Sequence, residues 1–241
     1  MRRCLLLVLC CSSSLVWADP PKPDLYVEDP YAPHNTSGSV ASLGTMVGFL
    51  YGLPQAISEL GITASGGQRW GRFSLQVEGA YYDLEAESTY TTALGPTSGN
   101  VGIGRGERLG VIGRLEVLRF DSHLIGPNSM AAVYVEGGAA SEWVQFTSPL
   151  DNGLRPDNTH RIEGLVGVGL MLDHRLQEPI GFPHRIAWFV GLQLAMSPHE
   201  PMSATVCRSD STCAREEMPE AADTGPVDQS MIFQSSLAFT F

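Results

Sequence analysis

MIFQSSLAFTF, residues 231–241, closes the chain and decides its fold class. Phe241, Phe239, Leu237 and Phe233 share one parity, and the positions between them are small or polar apart from Ile232. Alternation with a period of two is the pattern of a β-strand with one apolar face. A bare apolar strand at the end of a soluble protein invites aggregation, whereas the last strand of a closed transmembrane barrel pairs with the first. The stretch therefore predicts a membrane β-barrel and says nothing about a chemical activity.

An export signal precedes the barrel in the sequence. Arg2 and Arg3 form a positive n-region, a short apolar run follows over residues 4–11, and Val16 and Ala18 stand where a signal peptidase reads. This pattern predicts a signal peptide over residues 1–18, whose apolar part is too short to span a bilayer as a helix. Residues 19–37, rich in proline and acid, are expected to form a flexible periplasmic lead-in before a barrel over residues 38–241.

Charge and cysteine content exclude several classes of protein. The 241 residues carry a net charge of −11, and removal of Arg2 and Arg3 with the signal leaves −13, which disfavours nucleic-acid binding. Cys207 and Cys213 are the cysteines outside the signal, and an even count in an exported chain favours a disulfide across CRSDSTC. A metal site, the alternative, would need further ligands, and no histidine follows Cys213. We predict no metal and no cofactor.

Alternation bounded by turn residues recurs along the rest of the chain and predicts eight strands. Their spans are 41–51, 58–67, 73–84, 107–119, 130–144, 160–173, 185–196 and 229–241, and all 16 prolines fall outside them, as a hydrogen-bonded sheet requires. With both termini on the periplasmic side, the inner connections are 68–72, 120–129 and 174–184. The outer connections are 52–57, 85–106, 145–159 and 197–228. Short inner turns and longer outer loops are typical of bacterial barrels.

The more apolar parity of these strands is taken to face lipid, and its aromatic residues fall at two heights. The inner group contains Phe73, Trp188, Phe239 and Phe241, and the outer group contains Tyr51, Tyr81, Trp143 and Phe233. Two aromatic girdles are what the two interfaces of a membrane select. The alternative is a soluble β-sandwich whose aromatic residues form the core.

The export signal, the alternating strands, the unequal loops and the terminal FQSSLAFTF together resemble the small bacterial outer-membrane β-barrel proteins of the OmpA/OmpX type, over residues 38–241. The resemblance implies an eight-stranded antiparallel up-and-down transmembrane barrel in the bacterial outer membrane, in contact with its lipids and lipopolysaccharide. It also implies that Phe241, Phe239 and Leu237 form the signal read by the barrel-assembly machinery, with Phe241 as the required aromatic.

The opposite parity is polar and is expected to fill the barrel with ion pairs. An eight-stranded barrel has an interior that side chains just fill, and buried charges need partners. The charged residues on this parity include Glu78, Arg108, Arg114, Glu116, Glu136, Glu142, Arg161 and Glu163. We expect Arg114 at mid-height near Glu78 and Glu136. We expect the second layer, nearer the outside, to hold Arg108, Glu142, Arg161 and Glu163.

These features favour a structural, surface-interaction or membrane-anchoring barrel, and we predict no catalytic residue. One alternative is a lipid-modifying outer-membrane enzyme. His160 is the only histidine inside a predicted strand, and no His–Ser pair has the spacing that lipid A deacylase barrels use. A polar cleft with His160 beside a hydroxyl would favour the enzyme, whereas a continuous wet lumen would favour the second alternative, a narrow channel. The acidic loop 197–228 leaves Ca²⁺-mediated contact with lipopolysaccharide open.

Overall fold

The computed structural model describes residues 37–51, 57–92, 95–121, 129–149, 154–176, 183, 185–201, 203–207, 212–217 and 227–241. The predicted signal peptide and all of the predicted lead-in except Ser37 lie outside these residues, so both remain predictions. The described part of the chain contains no helix long and apolar enough to cross a membrane.

Eight strands close into one antiparallel barrel in the order β1-β10-β7-β6-β5-β4-β3-β2. They are β1 Gly38–Tyr51, β2 Ile57–Trp70, β3 Phe73–Thr92, β4 Gly95–Asp121, β5 Ser129–Phe146, β6 Thr159–Arg175, β7 Arg185–Pro198 and β10 Val227–Thr240. A separate hairpin, β8 Ser203–Cys207 and β9 Cys213–Glu217, lies between β7 and β10 in sequence. The predicted fold class, an eight-stranded antiparallel up-and-down barrel, is confirmed.

The terminal strand closes the barrel. β10 pairs with β1 from Tyr51–Gln229 to Val40–Thr240, and the Phe241 N–H donates to the carbonyl of Ser39 at 2.9 Å. On its other edge, β10 pairs with β7 over its whole length. The alternating stretch MIFQSSLAFTF is therefore a strand with a partner on each side.

Two predicted outer loops are wrong, because each contains strand. Residues 85–106 continue β3 and β4 into a hairpin whose last pair is Thr92–Gly95. Since β2 pairs with β3 only as far as Ala86, the part of the hairpin in which residues 87–92 pair with residues 95–100 forms a two-stranded ribbon beyond the rim of the described barrel. The predicted loop 197–228 likewise contains the β8–β9 hairpin. Neither stretch has a regular apolar alternation in its sequence, so the pattern that predicts the barrel strands does not detect them.

The inner turn between β2 and β3 is tighter than predicted. β2 runs on to Trp70, so the predicted connection 68–72 shortens to Gly71 and Arg72. Gly71 has a φ of 62°, in the left-handed region that glycine adopts without steric cost. The short turn extends the inward-facing parity of β2 to Arg69, which brings that guanidinium into the barrel.

Side chains are distributed inside-out relative to a soluble protein. Leu43, Ile62 and Ile162 are 63%, 58% and 69% exposed on the outer face, whereas Glu142 and Asp173 are 1% and 0% exposed inside. Soluble proteins rarely bury charges or expose a continuous apolar belt. A barrel that faces lipid outside and carries its polar groups inside does both. The soluble sandwich is excluded, because the sheet closes and its interior is charged.

An apolar cluster occupies the outer end of the interior. It surrounds the fully buried Tyr82, and its members nearest the outer rim are Leu84, Ala86, Ile103, Phe146 and Ala204. Ala204 comes from the β8–β9 hairpin, which therefore covers part of the outer mouth.

Hydrogen bonds hold the hairpin in place over the segment between β5 and β6. The Asp157 N–H donates to the Ser203 carbonyl at 2.7 Å, and Thr205 donates to the Asp157 carboxylate at 3.0 Å. A Pro156–Ala204 bridge adds a backbone contact.

Candidate functional site

The middle layer of the barrel interior is built around Arg114. Its guanidinium donates to Glu136 at 2.7 Å, to Gln76 at 3.0 Å and to Glu78 at 3.3 Å, and all four side chains are buried. The structure thus brings Arg114 together with the two carboxylates that the sequence placed beside it. Charge-assisted bonds of this kind offset the cost of burying the charges only when most donors and acceptors are used.

Aromatic rings lie against the same guanidinium. Its central carbon lies 5.4 Å from the ring centre of Phe189 and 5.8 Å from that of Tyr134, within the range of a cation–π contact. Glycines make room for the tyrosine, because a Cβ at Gly169 or at Gly191 would lie 2.4 Å from its hydroxyl oxygen. The arrangement leaves little free volume at this height.

The outer layer joins Arg161 to two glutamates. Arg161 Nε lies 2.5 Å from Glu142 and 3.0 Å from Glu163, and the Tyr82 hydroxyl donates to Glu142. Glu59, which the sequence reasoning did not include, is 1% exposed and accepts a hydrogen bond from Ser230 at 3.3 Å. The layer therefore contains one more buried carboxylate than expected.

Arg108 lies in this layer without an ion pair to any described carboxylate. It is 4% exposed and pairs across the strands with Glu142, yet both of its terminal nitrogens lack a hydrogen-bond partner among the described residues. Glu59 and Glu163 each have one buried carboxylate oxygen, Oε2, that has no hydrogen-bond partner among the described residues. The structure places Arg108 in the layer that the sequence predicted, but no described carboxylate lies within ion-pair distance of its guanidinium.

A third, inner layer was not predicted as a layer, although Glu116 and Asp173 both lie on the predicted inward-facing parity. Arg69 donates to Glu116 at 2.5 Å and to Asp173 at 2.9 Å, and Arg185 donates to Asp173 at 2.9 Å. Arg119 lies 2.5 Å from the other oxygen of Glu116. Arg69 fell in a predicted turn, and Arg185 is the first residue of a predicted strand. Extending the inward parity past the end of the second strand would have found Arg69, and applying it to the first residue of the seventh strand would have found Arg185.

The predicted aromatic girdle residues lie on the outer face. The exposed fractions are 42% for Phe73, 49% for Trp188, 40% for Tyr81, 41% for Trp143 and 37% for Phe241. Phe239 is half-buried and Leu237 is exposed. The side chain of Tyr51 is not among those that the structure describes. That these residues contact lipid, and that Leu237, Phe239 and Phe241 are read during assembly, remain proposals.

The strand register sets Cys207 directly opposite Cys213 across β8 and β9. The disulfide between them stays a prediction, which this register supports. Among the described residues, no group of three or more histidines, cysteines or acids is placed to hold a metal ion.

One polar pair on the outer face was not predicted. The Ser141 hydroxyl and His160 Nε2 share a hydrogen bond of 2.7 Å across β5 and β6. The Trp143 ring stacks on the His160 imidazole, with centres 5.0 Å apart and planes 26° apart. The pair is separated by 18 residues of sequence and is created by the strand register, so no local motif signals it.

Comparisons with known proteins give structural likeness only. No family model and no curated protein matches the sequence. Neisserial surface protein A (NspA) is similar with a TM-score of 0.45 and 11% identity, over 85% of this chain and 98% of that one. Ail, the attachment invasion locus protein of Yersinia pestis, was solved with the heparin analogue sucrose octasulfate. It is similar with a TM-score of 0.37 and 7% identity, over 85% of this chain and 99% of that one. The outer membrane protease OmpT from Escherichia coli is similar with a TM-score of 0.39 and 9% identity, over 87% of this chain and 98% of that one.

Proposed function

We propose that the protein is a closed outer-membrane β-barrel with a structural, surface-interaction or membrane-anchoring role. The observation that carries the proposal is the combination of an apolar outer face with ion-paired layers across the interior. Charged groups packed in this way fill an eight-stranded barrel. On this proposal the outer face contacts outer-membrane lipids and lipopolysaccharide, and the barrel-assembly machinery inserts the chain.

The filled interior argues against the narrow channel. Arg114 and its partners cross the lumen at mid-height, and the apolar cluster around Tyr82 continues past the outer layer of charges to Leu84, Ala86 and Phe146 near the outer rim. An ion would have to break the paired layer and then pass an apolar constriction, which excludes water unless it widens.

The parts beyond the rim are suited to contacts at the cell surface. The β3–β4 ribbon and the β8–β9 hairpin both project from the outer end, and Glu216 and Glu217 of the hairpin are exposed. A rigid barrel that carries such elements displays them at a fixed height above the membrane, which supports the surface-interaction role.

Membrane fractionation and bilayer recording test the proposal together. We expect the protein in the outer-membrane fraction, with heat-modifiable gel mobility, and no steady conductance when it is incorporated in planar bilayers. Recovery as a soluble periplasmic protein would refute the membrane assignment, and a reproducible single-channel conductance would refute the closed lumen.

A matched pair of arginine substitutions tests which face meets lipid. Val168 lies at the centre of β6 and is 49% exposed, whereas Ala214 is exposed on the β8–β9 hairpin outside the barrel. Val168→Arg should destabilise the inserted barrel by about 2–4 kcal/mol, the cost of arginine at the bilayer midplane, and Ala214→Arg should have little effect. Equal urea unfolding midpoints in lipid vesicles would contradict the assignment.

A further inference from the structure

We propose that Ser141 and His160 form a nucleophile–base pair that hydrolyses carboxylic ester bonds of membrane lipids at the outer interface. The activity goes beyond the closed-barrel role, and the barrel fold does not depend on it.

The geometry of the pair fits a serine activated by histidine. A separation of 2.7 Å between Ser141 Oγ and His160 Nε2 allows the hydroxyl to donate to the unprotonated nitrogen. The stacked Trp143 ring restricts the rotation of the imidazole and so orients Nε2 toward the serine. No described carboxylate lies within ion-pair distance of His160, so the arrangement is a dyad oriented by an aromatic ring.

The pair lies where the outer face changes from apolar to polar. The direct cross-strand partners of Ser141 are Leu109 and Ile162, which are 45% and 69% exposed. Farther out on the same face, Arg105 donates two hydrogen bonds to Gln145, at 3.1 and 3.2 Å. In a bilayer the ester linkages lie between the acyl chains and the headgroups, so this boundary selects an acyl ester as substrate.

Lipid recognition follows from the same positions. Leu109 and Ile162 offer an apolar surface for an acyl chain, and the Arg105 guanidinium is suited to a headgroup phosphate. Phospholipids and lipopolysaccharide share that chemistry, an acyl ester close to a phosphate. The backbone amides around Ser141 belong to the strand ladder, so we expect slow turnover without a backbone oxyanion hole.

The reaction balances with water as the second substrate. Ser141 Oγ attacks the ester carbonyl carbon while its proton passes to His160 Nε2. The bond from that carbon to the alcohol oxygen of the lipid breaks, and His160 returns the proton to the leaving oxygen. Water, deprotonated by His160, then cleaves the acyl-serine, releasing a fatty acid and regenerating the hydroxyl.

A second serine–histidine pair in the structure provides a control. Ser129 Oγ and His174 Nδ1 are 2.9 Å apart, at the inner ends of β5 and β6. Ser129 is only 4% exposed and therefore cannot reach a lipid ester. Ser129→Ala removes an equivalent hydrogen bond without touching the proposed site.

The test measures fatty acid released by the full-length barrel in two arms, phosphatidylethanolamine–phosphatidylglycerol vesicles and purified lipopolysaccharide. We expect release in at least one arm, which identifies the lipid source. Ser141→Ala and His160→Gln should lower it by at least about 100-fold, the usual contribution of a general base, and Ser129→Ala should not. The glutamine can hydrogen-bond to Ser141 but cannot take its proton, which separates catalysis from a structural role.

Covalent labelling provides the second measurement. A fluorophosphonate should modify Ser141 of the wild-type barrel, as identified by peptide mass spectrometry, even if a variant fails to fold. Absence of fatty-acid release in both arms together with an unlabelled Ser141 would overturn the proposal, as would equal release by folded Ser141→Ala and wild type. Heat-modifiable mobility reports the barrel fold separately, so loss of this activity leaves the proposed closed barrel intact.

Discussion

Replacing Arg114 with alanine is the most direct perturbation of the barrel interior. The substitution removes the cation that Glu78 and Glu136 share and leaves both carboxylates buried. Each retains one amide donor, from Gln234 at 3.1 Å and from Gln193 at 3.2 Å. The remaining hydrogen bonds reduce the desolvation cost of the two carboxylates but do not neutralise them.

The magnitude follows from these contacts. Removing one partner of a buried ion pair costs about 3–5 kcal/mol, because the other charge is left uncompensated. Arg114 serves two carboxylates, but their amide donors remain and either group can take up a proton. We therefore expect Arg114→Ala to lower the free energy of unfolding by about 3–5 kcal/mol rather than by twice that amount. A triple variant, Arg114→Met with Glu78→Gln and Glu136→Gln, should recover most of the loss, because no unpaired charge remains.

Urea unfolding of the barrel in lipid vesicles measures this difference, with tryptophan fluorescence and heat-modifiable gel mobility as independent readouts. An Arg114→Ala barrel whose unfolding free energy lies within about 1 kcal/mol of wild type would refute the reasoning, since that is far below the cost of an unpaired buried charge. If the triple variant were as unstable as the single one, lost packing rather than lost charge pairing would be the cause.

Gly106→Ala should lower the urea midpoint, because its Cβ would lie 2.2 Å from the fully buried Tyr82 ring and such overpacking costs about 1–3 kcal/mol. A Cβ at Gly102 would meet nothing within 4 Å, so Gly102→Ala is the matched control, and equal midpoints would speak against a tightly filled outer layer. Deletion of Phe241 removes the hydrogen bond to Ser39 and the aromatic residue at the rim, so we expect less heat-modifiable barrel in the outer-membrane fraction. Normal insertion of the shortened chain would count against a role in assembly.

The strands of the barrel could be predicted because alternate side chains along a strand that faces lipid are apolar, and this alternation is visible in the sequence. The stretch LGITASGG carries little such signal, yet it lies in β2, where neighbours on both sides hold it. The ribbon over residues 87–92 and 95–100 could not be predicted, since its sequence has no regular apolar alternation and its pairing is local to the hairpin. Apolar alternation in a sequence indicates a strand with one face against lipid or a core. It does not indicate a strand that is held only by backbone hydrogen bonds.

The interior could be predicted in outline and not in detail. Parity alone places Arg114 and Arg161 inside, but which carboxylate each one reaches depends on register and strand stagger. Arg108 shows the difference, because it lies in the expected layer without an expected ion pair to the described carboxylates. The pairing of Ser141 with His160 is likewise a product of register, so a motif search along the chain does not reveal it.

The seam between β1 and β10 imposes an order on folding. Val40 pairs with Thr240, about 200 residues further along, whereas most other neighbouring strands are successive hairpins. Hairpins can form as the chain arrives, but the ring cannot shut until β10 is present, and until then β1 and β7 offer unpaired edges to any other chain. Barrel closure therefore requires the whole chain, because a polypeptide that ends before β10 remains an open sheet with two unpaired edges that can associate with other chains.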